Sequence, residues 1–317
     1  MTTIDPRHLV SVDKNNALGA EPVRRMISRR SVLTAAGAAF TAASLPGFAD
    51  TPQLLTRTVP STGEPLGVIG LGNSQAFKSS DMDTTRQLLS LLTERGGSFV
   101  DARGISRFNV LRAAPPDVSL FLAAYVNGLE VEQDRSDIAD LRELRTGKPV
   151  DLLTLSNFDE LDKRWSQLRQ WKQQGLCRYI GVGKARSTFY PAMMKLMATG
   201  SVDFVQINYS MLEREAEKRL LPMAVDKGIA VVTSRPFVNG DYFSLVRKHT
   251  LPEWARDFDC HSWAQFSLKF ILGNPAVNCV LTETANPKHA MDNLGGGIGR
   301  LPDPKTREEM SAIVRSF

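Results

Sequence analysis

Gly97-Ser-Phe-Val-Asp101 is a short apolar run that ends on an acid, with the amphipathic stretch Thr84 to Glu94 before it. The same alternation of short β-like runs and longer amphipathic ones extends in both directions, which is the pattern of parallel βα units. Leu66-Gly-Val-Ile-Gly-Leu-Gly72 lies upstream. Downstream follow Val118-Ser-Leu-Phe-Leu122, Val150-Asp-Leu-Leu-Thr-Leu155, Tyr179-Ile-Gly-Val182, Asp203-Phe-Val-Gln-Ile207, Ile229-Ala-Val-Val-Thr233 and Val277-Asn-Cys-Val-Leu281. Helices are predicted at Val131 to Arg145, Phe158 to Gln174, Ala216 to Lys227 and Trp263 to Leu272, and Gly96, Gly175, Gly200 and Gly228 stand where a left-handed residue closes a helix. Eight strands alternating with helices over about 250 residues predict an α/β fold, a (β/α)8 TIM barrel. A doubly wound sheet is the competing fold, suggested by Gly70-x-Gly72 after a strand. Gln75 holds the third glycine position and no helix follows at once, so these glycines read as a turn.

The 317 residues are 42% hydrophobic and 23% charged, the composition of a globular protein with a sizeable core. Residues 1–49 follow another pattern, since Ser28-Arg-Arg-Ser-Val-Leu33 leads into an apolar, small-residue run from Val32 to Phe48 that closes at Gly47-Phe-Ala49. A basic start, a short apolar middle and a small-residue end are the parts of an export signal. Adjacent Arg29 and Arg30 make it similar to a twin-arginine signal, with Thr34 where a Lys is common. The run is shorter than the about 20 residues that a membrane span wants. The expected organisation is a signal segment over 1–49, cleaved after Ala49 or kept as an anchor, and a barrel over 50–317. Met1 and Met26 are both candidate starts, and the expected destination is the periplasm or beyond by the twin-arginine route.

That segment holds six Lys/Arg against three Asp/Glu, so the chain's +5 falls to +2 without it. No basic cluster interleaved with aromatics remains to point to nucleic acid. Cys177, Cys260 and Cys279 are isolated and odd in number, which argues against a disulfide framework or a structural zinc site. Two local features bear on the barrel mouth. Ala102 to Pro115 leaves little room for a full helix before Pro115 and Pro116 stop it, and Arg235 to Pro275 is long and aromatic, as a lid-like excursion before the seventh barrel helix would be.

Gly97–Asp101, Arg178-Tyr-Ile-Gly-Val182, Asp203-Phe-Val-Gln-Ile-Asn-Tyr-Ser210, Ser234-Arg-Pro-Phe237 and Asn286-Pro-Lys-His-Ala-Met-Asp-Asn293 together resemble the aldo/keto reductase family, across residues 55 to 305. The resemblance implies that Leu55-Thr-Arg-Thr-Val-Pro60, around Ser61-Thr-Gly63, forms an N-terminal β-hairpin that plugs the barrel bottom. It also implies a tetrad: an Asp ending the second strand, a Tyr five residues later, a Lys on the third strand and a His on the fourth. Here Asp101 holds the first position, while Ser106 stands at the Tyr position, Tyr125 at the Lys position and Ser156 at the His position.

Carbonyl reduction builds negative charge on oxygen, which an acid must quench; in the family the Tyr does this, its pKa lowered by the Lys that the Asp holds. A Ser hydroxyl without an activating partner is far too weak an acid. Tyr125 is the remaining phenol, and a neighbouring carboxylate would raise its pKa. The expectation is that it fills the space left by the Lys and donates to Asp101. An unpaired buried carboxylate is costly, so Asp101 needs a partner among Arg103, Arg107 and Lys184.

The resemblance implies NADP or NAD as cofactor. Gln206 takes the carboxamide position, Tyr209 the nicotinamide platform, Arg235, Phe237 and Gly240 the pyrophosphate loop, and Thr284, His289, Asp292 and Asn293 the adenosine end. Glu283 stands where relatives carry Gly or Lys near the 2′-phosphate, a carboxylate that would repel it and favour NAD, or no dinucleotide at all. Three functions stay open. The first is an exported reductase-like barrel, a pseudoenzyme impaired in carbonyl reduction, that binds a small ligand or a partner. The second is an active oxidoreductase of small aldehydes or ketones, with Tyr125 as acid and Asp101 as orienter. The third is Schiff-base chemistry at Lys184, an amine at the barrel mouth. Three replaced tetrad positions favour the first.

Overall fold

A computed structural model describes residues 51–79, 82–126 and 130–317, all within the unit Ala49–Phe317; the expected signal segment lies outside the described residues. A two-stranded antiparallel hairpin comes first, β1 (Thr56–Thr58) with β2 (Pro65–Gly67), in the register Arg57 opposite Leu66. Eight parallel strands then close into a barrel: β3 (Ile69–Leu71), β4 (Phe99–Ala102), β5 (Phe121–Val126), β6 (Val150–Leu155), β7 (Cys177–Lys184), β8 (Phe204–Asn208), β9 (Ala230–Ser234) and β10 (Cys279–Thr282), the last pairing with β3. Helices α1 (Asp83–Thr93), α2 (Ile105–Ala113), α3 (Val131–Leu144), α4 (Leu161–Gln173), α5 (Tyr190–Met197) and α6 (Leu220–Lys227) alternate with them. Helix α7 (Asp241–Val246) belongs to the excursion after β9, and α8 (Trp263–Leu272), α9 (Pro287–Gly295) and α10 (Pro304–Arg315) complete the shell. The predicted barrel and N-terminal hairpin are thus the observed fold.

Two cores explain why the strands read as they do. Along each strand the side chains alternate, so Phe99, Phe121, Ala123, Leu152, Tyr179, Phe204, Ala230, Val232, Cys279 and Leu281 fill the barrel interior together with Val59 and Leu66 of the hairpin. Phe99 stacks on Phe121 with centroids 4.9 Å apart, and Tyr179 meets Phe204 edge-on at 5.2 Å. Residues of the opposite parity, such as Leu122, Leu153, Ile180, Val205 and Val231, pack outward against the helices. Each fully buried Phe or Leu contributes about 1.5–3 kcal/mol relative to exposure. Arg57 pins the hairpin to the end of α8 by donating to the carbonyls of Leu272 (2.5 Å), Asn274 (2.8 Å) and Val277.

The structure refines three expectations. The predicted strand Leu66–Gly72 divides, its first part closing the hairpin and its second entering the barrel. Gly70 serves strand approach: a Cβ there would lie 2.8 Å from the Phe99 carbonyl oxygen. The third strand begins later than predicted, at Phe121, because Pro115, Pro116 and Asp117 form the loop before it. The short second βα unit does hold a helix, the nine-residue α2, which stops at Ala113. Ala114 is extended (ψ 138), as the residue before a proline is expected to be.

Candidate functional site

The inward parity that builds the interior continues to the C-terminal strand ends. There it delivers Asp101 from β4, Tyr125 from β5, Gln206 from β8, Ser234 from β9 and Glu283 just after β10. Arg103, Tyr125, Ser156, Lys184, Gln206, Ser234 and Arg235 line one cleft of about 310 Å³ at this mouth. Gly181 and Gly183 supply no side chain at the inward positions of β7, which keeps the centre open; a Cβ on Gly181 would lie 2.9 Å from the Phe204 carbonyl oxygen.

Asp101 is 1% exposed. Its Oδ2 accepts from Gln206 Nε2 at 2.9 Å and lies 3.8 Å from Arg103 Nη2, whereas Oδ1 has no hydrogen-bond partner among the described residues. Burial pushes this carboxyl up to about 6, against the pull of Arg103 and of the Gln206 hydrogen bond. The partner predicted from three candidates is therefore Arg103, whose backbone amide is held by Asn73 Oδ1 at 3.1 Å. Arg107 is occupied elsewhere, by Asp137 and by the Tyr125 carbonyl (3.3 Å). Lys184 Nζ donates to the Ser156 carbonyl at 3.0 Å and lies 5.3 Å from the Phe189 ring centroid, with no ion pair among the described residues.

Tyr125 carries the Arg103 guanidinium over its ring at 3.9 Å. That cation, in place of a hydrogen bond to Asp101, is its principal polar neighbour. Burial and then the Asp101 charge raise its hydroxyl well above the ordinary phenol range, with Arg103 opposing. Ser106 is 0% exposed in the first turn of α2, and its Oγ finds no partner among the described residues. It is not among the residues that line the cleft, whereas Ser156 is.

A second cavity of about 470 Å³ gathers Thr284, His289, Asp292 and Asn293, implied for the adenosine end, with Phe237 of the implied pyrophosphate loop and Glu283. Glu283 packs against Gly72, where a Cβ would come within 2.5 Å of its Cγ; burial raises its carboxyl, while Arg103 and Lys78 draw it down. Gly240 holds a φ of 104 before α7, and Arg235 sits 3.5 Å from Glu213. Tyr209 is the correction. It shares the outward parity of Ile207, so its ring is fully buried in the sheath, 6.5 Å from Phe270. Its hydroxyl donates to Glu217 and accepts from Arg307 (2.6 Å) and Asn274 (3.3 Å), which ties α10 to the barrel. Alternation along β8 was the signal in the sequence that could have placed it there. The mouth position on the next strand is Ser234.

Known proteins bear out the architecture. An aldo-keto reductase from Bacillus halodurans in its holo form superposes with a TM-score of 0.67 at 18% identity, over 82% of this chain and 96% of that one. A glycerol dehydrogenase from Gluconobacter oxydans gives 0.66 at 15% identity, over 84% and 95%, and an aldo-keto reductase from Klebsiella pneumoniae in complex with NADPH gives 0.64 at 14%, over 83% and 95%. In sequence, the chain is 27% identical over 99 residues to the NADH-specific methylglyoxal reductase of Escherichia coli (strain K12), a match that spans 31% of this chain and 29% of that enzyme. Residues 132–313, more than half of the sequence, match the model of the aldo/keto reductase family, and the chain belongs to that family.

Proposed function

We propose that this protein is an exported aldo/keto reductase barrel that does not carry out hydride transfer to carbonyls and works by binding a small ligand at its mouth. The observation that carries the reading is the partner set of Asp101, an arginine guanidinium at 3.8 Å and a glutamine amide at 2.9 Å. Arg103 lies 3.9 Å over the Tyr125 ring and draws its hydroxyl down, but burial and the Asp101 charge outweigh it and hold this phenol well above its ordinary range. An acid so weakened does not match the pH at which it would work.

The residues fit a dinucleotide at one end and not at the other. The second cavity has the aromatic, His and Asn groups to hold an adenosine, whereas Tyr209, the residue implied as nicotinamide platform, is buried in the sheath and does not reach the mouth. Export rests on the sequence of residues 28–49 alone, and replacing Arg29 and Arg30 by Lys is expected to hold the full chain in the cytoplasm on cell fractionation.

The direct test follows absorbance at 340 nm while the purified full chain is mixed with NADH or NADPH and methylglyoxal, glyceraldehyde or other small aldehydes and ketones. No substrate-dependent oxidation is expected with either nucleotide. Turnover that disappears in Tyr125→Phe would establish the rearranged-site oxidoreductase instead.

A further inference from the structure

The mouth cleft has four cationic side chains in its lining, Arg103, Lys184, Arg186 and Arg235, and no acidic one. Two of the four are compensated from behind, Arg103 by Asp101 and Arg235 by Glu213 at 3.5 Å. Lys184 is bonded only to a backbone carbonyl, and Arg186 has no carboxylate partner among the described residues. The rim beside Gly183 therefore carries uncompensated positive charge over an open centre. On the floor lies Gln206, 5% exposed. Its Nε2 is committed to Asp101, and its Oε1 is buried with no partner among the described residues. A buried carbonyl oxygen left without a donor is unfavourable, so a bound group that donates to it is favoured over one that does not.

We propose that this cleft binds a small hydroxy acid, with the carboxylate held by Arg186 and Lys184 and a hydroxyl donating to Gln206 Oε1. The planar guanidinium of Arg186 matches a carboxylate edge with two parallel hydrogen bonds. An amino acid fits less well, because its ammonium would stand among four cations. The proposal rests on the binding-protein reading, and it concerns residues outside the family tetrad.

Isothermal titration of the full chain at low ionic strength, with no dinucleotide present, compares glycerate, propionate, glycerol and glycerol 3-phosphate. These probes share a three-carbon frame, but only glycerate combines a carboxylate with hydroxyls. Glycerate is expected to bind, propionate to bind at least about tenfold more weakly, and glycerol to give no heat. Arg186→Gln and Lys184→Gln are each expected to weaken glycerate by about tenfold, the loss of one charge-assisted contact, with thermal unfolding of Arg186→Gln unchanged because that side chain is exposed. Added chloride is expected to weaken binding further. Equal affinity for propionate, tighter binding of glycerol 3-phosphate, absence of glycerate binding, or indifference to both substitutions would each overturn the proposal. Carbonyl-dependent oxidation of NADH or NADPH would defeat the binding-protein reading by a separate assay and leave the titration result standing.

Discussion

A carboxyl raised from 3.8 to about 6 by burial makes Asp101 a group that the folded protein prefers protonated. Between roughly pH 4 and pH 6 the folded state keeps a proton that the unfolded chain has released, so stability falls as pH rises through that window. A shift of this size corresponds to about 3 kcal/mol, which is what remains of the desolvation after Arg103 and Gln206 have offset part of it. Asp101→Asn removes the titration while retaining an acceptor for Gln206. Its stability relative to the unsubstituted protein, measured by urea unfolding, is expected to improve by about 1–3 kcal/mol between pH 4 and pH 7. A relative stability that declines over the same range would show the carboxylate to be stabilised in place. Ser106 argues the same departure from the family sterically. Its side chain is wholly enclosed in α2, so Ser106→Tyr is expected to destabilise by about 1–3 kcal/mol through overpacking, with no nucleotide oxidation gained. A variant of unchanged melting temperature that reduces methylglyoxal would contradict both points.

The hairpin is tied to the barrel by Asn278 on the Thr58 carbonyl, by Tyr179 and Arg178 on Glu64, and by Arg57. Arg57 satisfies carbonyls of Leu272, Asn274 and Val277 beyond the end of α8. Arg57→Ala leaves those acceptors short of a donor and is expected to cost about 3 kcal/mol in denaturant unfolding; a loss under about 0.5 kcal/mol would mean that the other ties, with Val59 and Leu66, seat the plug. At this scale the sequence was largely legible, because eight β-like runs and the helix bounds of Trp263–Leu272 follow from period and punctuation. Tyr209 was misplaced although the information was present: one step of strand parity separates it from Gln206, and a motif carried over whole ignores that step. The partner of Asp101 was less legible. Arg103 and Lys184 lie at strand ends and Arg107 in the first turn of α2, and only the path of that short helix sends Arg107 to Asp137 and leaves Arg103 over the mouth. No local signal distinguishes those outcomes.

The whole molecule is built without covalent staples, and that suits a protein proposed to leave the cytoplasm already folded. All three cysteines are free and buried, two in barrel strands and one ahead of α8. Burial pushes the thiols of Cys177 and Cys260 up to about 12 and that of Cys279 higher still. Since the thiolate is the reactive form, roughly one molecule in ten thousand would present it at pH 8 even if reagents could reach the sulfur. Stability must then come from the two nested apolar cores, and transfer to an oxidising compartment should leave the fold as it was. With Ellman's reagent at pH 8, the native full chain is expected to release no thionitrobenzoate over hours, and the same chain in guanidinium to release the equivalent of three thiols. Treatment with diamide before denaturation is expected to leave that count unchanged. A native thiol that reacts within minutes, or a count reduced by two after diamide, would mean that the barrel opens at one of these strands often enough for oxidation to reach it.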